Sequence, residues 1–174
     1  LVDEFAIIGD LLMGLTTDSP EARPVPGMAA SWEVSPDGLV WTFHLRPNLT
    51  FSDGSTFDAE DVVASYKRAR DYPNAVGSYA GLFNGVTAIE AVDKLTVKMT
   101  TAAPSPTLAF AMSQVPIIPS EIATTATQAD FTSAKGSVSI GPYKFAGFAS
   151  GRELVLERNP NFWGEKPKWD SVRF

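Results

Sequence analysis

Ala30-Ser31-Trp32-Glu33-Val34-Ser35-Pro36-Asp37-Gly38-Leu39-Val40-Trp41-Thr42-Phe43-His44-Leu45-Arg46 reads as strand, turn, strand. Trp41, Phe43 and Leu45 alternate with Thr42, His44 and Arg46, the period of two that sends successive side chains to opposite faces of a half-buried strand. Ser35-Pro36-Asp37-Gly38 supplies the turn. Proline pre-sets φ for the first central position, the short aspartate side chain bonds nearby backbone, and glycine accepts a positive φ at little cost.

Outward from this hairpin the same signals recur. Ile89 to Val92, Asp93-Lys94 and Leu95 to Met99 predict a second hairpin. Gly141-Pro142 precedes alternating Tyr143, Lys144 and Phe145, and Leu154 to Arg158 alternates again, which predicts a third, followed by a last strand over 172–174. Ile7, Ile8, Leu11, Leu12 and Leu15 recur at helical spacing, so residues 4–13 are expected to be a helix with Asp3 as N-cap and Gly14 as its stop. A second helix is expected from an Asp58 cap to Arg70, with Ala59, Val62, Val63, Tyr66 and Ala69 as its apolar stripe. Asp58 and Asp61 stand three apart like a capping box, and acidic residues in the first turn with basic ones in the last complement the helix dipole. Ser105-Pro106 opens a short helix through Met112, and Pro116 and Pro119 bracket an extended Ile117-Ile118. Thr16 to Met28 holds Pro20, Pro24 and Pro26 without periodicity and is expected to cross the surface as an extended loop, whereas Thr124 to Ser139 carries no assignable pattern. Antiparallel hairpins interspersed with a few helices predict an α+β fold without internal repeats.

Composition narrows the function classes. A chain of 174 residues, 44% apolar and 20% charged, is long enough for one domain with a core or for two small lobes. Fourteen scattered basic residues against 20 acidic ones leave a net charge of −6, which offers no patch for a phosphate backbone, so nucleic acid is not an expected partner. The longest apolar runs, Leu108 to Met112 and Val115 to Ile118, are far short of the roughly 20 residues that cross a bilayer. With no cysteine there is no disulfide framework, thiolate metal site or thiol nucleophile. The chain starts at Leu1 with no signal-peptide pattern and reads as an internal fragment or a trimmed chain.

Chemistry-bearing residues are few. His44 sits on the polar phase of its strand with no serine or cysteine motif addressed to it. Asp53, Asp58, Glu60 and Asp61 are dense enough for acid/base work, and Asp53 with Glu60 would suit a carboxylate-dependent hydrolase, but turn and cap roles account for them better. A calcium loop starting at Asp53 fails, because glycine comes second and Phe57 fills the fifth place, and no glycine-rich loop has the context of a phosphate cradle. No catalytic residue, metal or cofactor is therefore expected. The rings of Trp32, Trp41, Tyr79, Phe83, Tyr143, Phe148, Phe162, Trp163 and Trp169 are mostly core candidates, with a ligand cleft as the other use.

An ordered series of motifs resembles one family. It runs from Pro26-Gly27-Met28-Ala29-Ala30-Ser31-Trp32 through Ser35-Pro36-Asp37-Gly38 and Trp41-Thr42-Phe43-His44-Leu45-Arg46 to Phe51-Ser52-Asp53-Gly54 and Ala59-Glu60-Asp61-Val62-Val63. Gly141-Pro142-Tyr143 and Leu156-Glu157-Arg158-Asn159-Pro160-Asn161-Phe162-Trp163 complete it. Nearly the whole chain resembles the extracellular solute-binding proteins of family 5, which serve peptide, dipeptide and nickel ABC importers. Ser139-Ile140 departs from the small residue and glycine that often precede Gly-Pro-Tyr there. The resemblance implies a type II periplasmic-binding-protein-like N-terminal lobe fragment with an additional mixed α/β domain. Residues 1–16 and 119–174 would belong to the first ligand-binding lobe and 17–118 to the additional domain, with the second lobe absent. It further implies a peptide or other small-molecule ligand, a membrane permease as partner, and a monomeric full-length protein that is periplasmic or extracellular, a lipid anchor being one option. Positions similar to Val2, Asp3, Phe5 and Tyr79 approach the ligand in peptide-binding relatives, although Asp3 also suits a helix cap. A sensory or interaction domain that kept the binding fold is the remaining alternative.

Overall fold

The computed structural model describes residues 9, 11–71, 79–127, 130, 137–149 and 152–174. The chain divides into two compact units, one of residues 1–12, 48–57 and 125–174 and one of 13–47 and 58–124. The segment 48–57 thus groups with the two ends of the chain, although it lies inside the stretch 17–118 that the sequence treats as one block.

The second unit is built on a four-stranded antiparallel sheet. Strands β3 (Ala29–Val34) and β4 (Val40–Leu45) form the first expected hairpin, with Trp32 opposite Phe43 and Val34 opposite Trp41. Its turn closes by a Gly38 N–H to Ser35 carbonyl bond of 2.8 Å, with Gly38 at φ 74° and the Asp37 carboxylate accepting the Leu39 N–H. The second hairpin, β5 (Val86–Asp93) and β6 (Thr96–Thr101), is longer than expected and turns one residue later, at Lys94-Leu95. The shift follows from Asp93, whose carboxylate accepts the Leu95 N–H at 2.7 Å and so sits before the turn, not in it. β6 inserts between β4 and β5, giving the order β3-β4-β6-β5. One face carries Trp41, Phe43 and Leu45 of β4, Val97 and Met99 of β6 and Ile89 of β5, all buried. Helix α1 (Ala59–Asp71) packs against β5 and β6 and buries Val62, Val63 and Tyr66. The expected capping box is present and reciprocal in sense: Asp58 Oδ1 accepts the Glu60 N–H and Asp61 Oδ2 accepts the Asp58 N–H, each at 2.9 Å.

Several expectations are corrected. Thr16 to Met28 is not a plain loop, because β1 (Thr16–Asp18) pairs antiparallel with β2 (Pro24–Pro26). A two-stranded ribbon tolerates these prolines, since each missing N–H is needed only in the interior of a wider sheet. The short helix after Ser105-Pro106 is a single turn, α2 (Leu108–Ala111), and a further turn, α3 (Ser120–Thr125), starts directly after Pro119 where no helix is expected. Of the helix expected over 4–13, Gly9 and Leu11 are helical, Leu12 and Met13 are not, and the rest lies outside the described residues. Gly14 is not explained by a helix stop alone: a Cβ there would stand 2.3 Å from the Met112 carbonyl oxygen, so the position needs glycine for a close backbone approach.

The first unit holds a three-stranded antiparallel sheet, β7 (Tyr143–Ala149), β8 (Glu153–Arg158) and β9 (Ser171–Arg173), in the order β7-β8-β9. Its first two strands are the third expected hairpin, with a bulge between Phe145 and Gly147, and its last is the final strand expected near the C-terminus.

Candidate functional site

Of the residues expected at a ligand, Val2, Asp3 and Phe5 lie outside the described residues. Tyr79 is half-buried directly before a 3-10 turn over Ala80–Phe83, where its carbonyl accepts the Leu82 N–H at 2.9 Å. Burial pushes its phenol pKa above the usual tyrosine value, so the hydroxyl is a neutral donor or acceptor at any physiological pH.

Of the four carboxylates considered for acid/base work, Asp53, Asp58 and Asp61 are engaged with backbone and Glu60 is exposed on the first turn of α1. Asp53 Oδ1 accepts both the N–H and the hydroxyl of Ser55, closing the turn in which Gly54 has φ 89°. Asp58 caps α1, and buried Asp61 receives the Asp58 N–H on one oxygen and the Ser120 N–H at 2.7 Å on the other. Desolvation raises the Asp61 pKa, partly opposed by those two N–H bonds. His44 lies at the surface, 3.7 Å from the Glu33 carboxylate across the hairpin. Among the described residues no group of three or more histidine, cysteine, aspartate or glutamate side chains is placed to hold a metal ion.

Of the nine candidate rings only Trp41, Phe83 and Tyr143 are core, and Trp32, Tyr79, Phe162 and Trp163 are half-buried. Trp41 stacks beside Phe43, Tyr66 meets Phe83 edge-on at 5.5 Å, and Phe83 and Tyr143 are buried. Phe148 and Trp169 are exposed, at 64% and 72%.

Three of the motifs that carry the family resemblance, those of residues 51–54, 141–143 and 156–163, form a polar hub within the first unit. Asn159, fully buried, donates its Nδ2 to the Gly141 carbonyl at 2.9 Å and accepts the Asn161 N–H on Oδ1 at 3.0 Å. Asn161 Nδ2 reaches the Phe51 carbonyl at 3.0 Å. Ser52 and Ser139 bond reciprocally, Ser52 N–H to the Ser139 carbonyl and Ser139 N–H to Ser52 Oγ, while the Ser139 hydroxyl donates to the Tyr143 carbonyl. Gly-Pro-Tyr and Arg-Asn-Pro are therefore joined by hydrogen bonds to one another and to the Phe51-Ser52-Asp53-Gly54 turn. Neither hydropathy nor spacing announces this hub. The one signal available was Ser139, a polar residue between Val138 and Ile140, whereas Asn159 stands among Glu157, Arg158 and Asn161 and is not marked out by its neighbours.

The sequence profile of the bacterial extracellular solute-binding proteins, family 5 Middle, matches residues 23–174. The periplasmic oligopeptide-binding protein OppA of Salmonella typhimurium is 31% identical over 180 residues, spanning 93% of this chain and 33% of that protein. Among solved structures, the PBP AgaA of A. tumefaciens R10, in complex with agropinic acid, superposes with a TM-score of 0.84 at 31% identity, over 97% of this chain and 34% of its own. NikZ of Campylobacter jejuni, in complex with Ni(L-His), does so with a TM-score of 0.83 at 27% identity, over 96% of this chain and 34% of its own. The α+β arrangement is that of periplasmic binding proteins, and the chain spans about a third of the length of the curated relatives it matches.

Proposed function

The chain belongs to the bacterial extracellular solute-binding proteins of family 5, and from that premise we propose that it is part of the extracytoplasmic substrate-binding subunit of an ABC importer. The bound solute is a peptide or a related small molecule, held between two lobes and released to a membrane permease without chemical change. The observation that supports this most is the superposition on two ligand-bound proteins, the PBP AgaA and NikZ, over 96–97% of the chain. Engagement of Asp53, Asp58 and Asp61 in turns and caps supports binding over hydrolysis.

The unit of residues 1–12, 48–57 and 125–174 is assigned to the ligand-binding lobe, and that of 13–47 and 58–124 to the additional domain. Tyr79 and the segment containing Val2, Asp3 and Phe5 are assigned to the ligand side. The relatives' names span oligopeptides, and their structures agropinic acid and a nickel–histidine complex, so the fold leaves the solute open. A periplasmic or extracellular location follows from the same kinship, and among the described residues no helix is long and apolar enough to cross a membrane.

Native mass spectrometry of the longer parent protein, purified from its own source, tests the proposal. A co-purified peptide or small solute, displaced stoichiometrically by synthetic peptides in calorimetry, is expected. Turnover of the bound compound would replace the binding function with an enzymatic one.

A further inference from the structure

The two faces of the β7-β8-β9 sheet differ sharply. One carries charge: Lys144 pairs with Glu157 at 3.7 Å and Arg173 with Glu153 at 3.3 Å, the arrangement of a face turned to water. Strand pairing puts Phe145, Leu156 and Val172 in one row of the opposite face, and Phe148 and Leu154 in the next. Phe174 joins that second row through a reciprocal pair of backbone bonds with Leu154, each 3.0 Å. Leu156 in the first row is fully buried, whereas in the second Phe148 is 64% and Phe174 48% exposed. An apolar face that is core at one end and solvent-exposed at the other, on a sheet whose polar face is already the other one, is an interior surface left uncovered.

We infer that the row Phe148–Leu154–Phe174 is an intramolecular docking surface, covered in the longer protein by polypeptide that family members carry beyond the portion matched here. Two observations select that occupant. The row continues one on the same face in which Leu156 is fully buried and Phe145 and Val172 are half-buried, as the margin of a core surface does. About two thirds of the length of the matched relatives also lies outside the portion this chain spans. The inference rests on the reading that the chain is part of such a longer binding protein, but it assigns this surface to folding and not to ligand.

With no cysteine in the chain, a Phe148→Cys substitution reports the surface directly through maleimide labelling, read by peptide mapping in the 174-residue chain and in the parent protein. Labelling at residue 148 is expected to be at least tenfold slower in the parent, with or without peptide, while Glu157→Cys on the charged face labels equally fast in both. Equal rates at residue 148 overturn the inference. So does slowing that depends on added peptide, which makes the row a ligand surface, or slowing that rises with concentration of the 174-residue chain, which makes it a self-association surface. Hydrogen exchange of the 143–149 peptide in the unsubstituted proteins gives the same readout without a variant. If residue 148 is protected in a parent that binds no solute, the docking surface stands and the transport reading fails.

Discussion

Asn159 is the residue on which the first unit's hub turns, because one amide side chain supplies both a donor to Gly141 and an acceptor for Asn161. Asn159→Ala leaves the buried Gly141 carbonyl and the part-buried Asn161 N–H without their side-chain partner, and with about 1–3 kcal/mol for a fully buried group a loss of about 1–3 kcal/mol is expected in urea denaturation. Asn159→Asp keeps the acceptor but turns an anionic oxygen toward the Gly141 carbonyl, and is expected to be at least as damaging at neutral pH. A midpoint unchanged for both would show that the hub does not hold the unit. Asp61 yields a prediction about pH. Its folded pKa is raised, so between the unfolded value and the folded one the native state binds more protons than the unfolded chain, and stability from this group is lost as pH rises through the folded pKa. Relative to Asp61→Asn, which does not titrate, the wild-type chain is therefore expected to lose stability as pH climbs from about the model-peptide aspartate value of 3.9. A difference between the two proteins that stays flat, or grows in favour of wild type as pH rises, would contradict this.

At the scale of elements, α1 does more than cover the sheet. Asp61, Ser65 and Arg68, at i, i+4 and i+7 and so on one side of the helix, bond the backbone of a single segment: the Ser120 N–H, both the N–H and carbonyl of Ile118, and the Ala123 carbonyl. Ser65 is buried and makes both of its bonds at 3.0 Å, so Ser65→Ala is expected to cost about 1–3 kcal/mol with an unchanged m-value. Gly14→Ala is expected to cost a similar amount through the 2.3 Å approach to Met112, measured as a lower thermal midpoint. These long-range contacts are what the sequence conceals. The β3–β4 hairpin and the α1 cap were legible because periodicity, turn residues and capping pair are all local, with partners a few residues apart. The β1–β2 ribbon was hidden by prolines that a wider sheet would exclude. The clamp on 118–123 was hidden because Asp61 and Ser65 look like ordinary helix polar residues until a segment more than fifty positions away is brought to them. At the site the same limit applies: Tyr79 could be picked from resemblance, but its half-buried setting depends on a fold that no short window encodes.

At the scale of the whole molecule, the binding prediction follows from enclosure. A solute held between two lobes draws its contacts from both, and the gain from displaced water is complete only when it is surrounded. If one lobe supplied half of a micromolar interaction, about −8.2 kcal/mol, the remaining −4.1 kcal/mol corresponds to a Kd of about 1 mM. The 174-residue chain by itself is therefore expected to show no tight binding of di- or oligopeptides in calorimetry, while the longer parent binds them. Within the parent, Tyr79→Ala is expected to weaken peptide binding about three- to tenfold, the value of one well-placed aromatic contact, with Tyr79→Phe retaining most of the affinity if the ring and not the hydroxyl makes the contact. Submicromolar affinity in the short chain would mean that it encloses its ligand alone, and the two-lobed mechanism would then have to be given up, since nothing in it lets half of the trap hold as tightly as the whole.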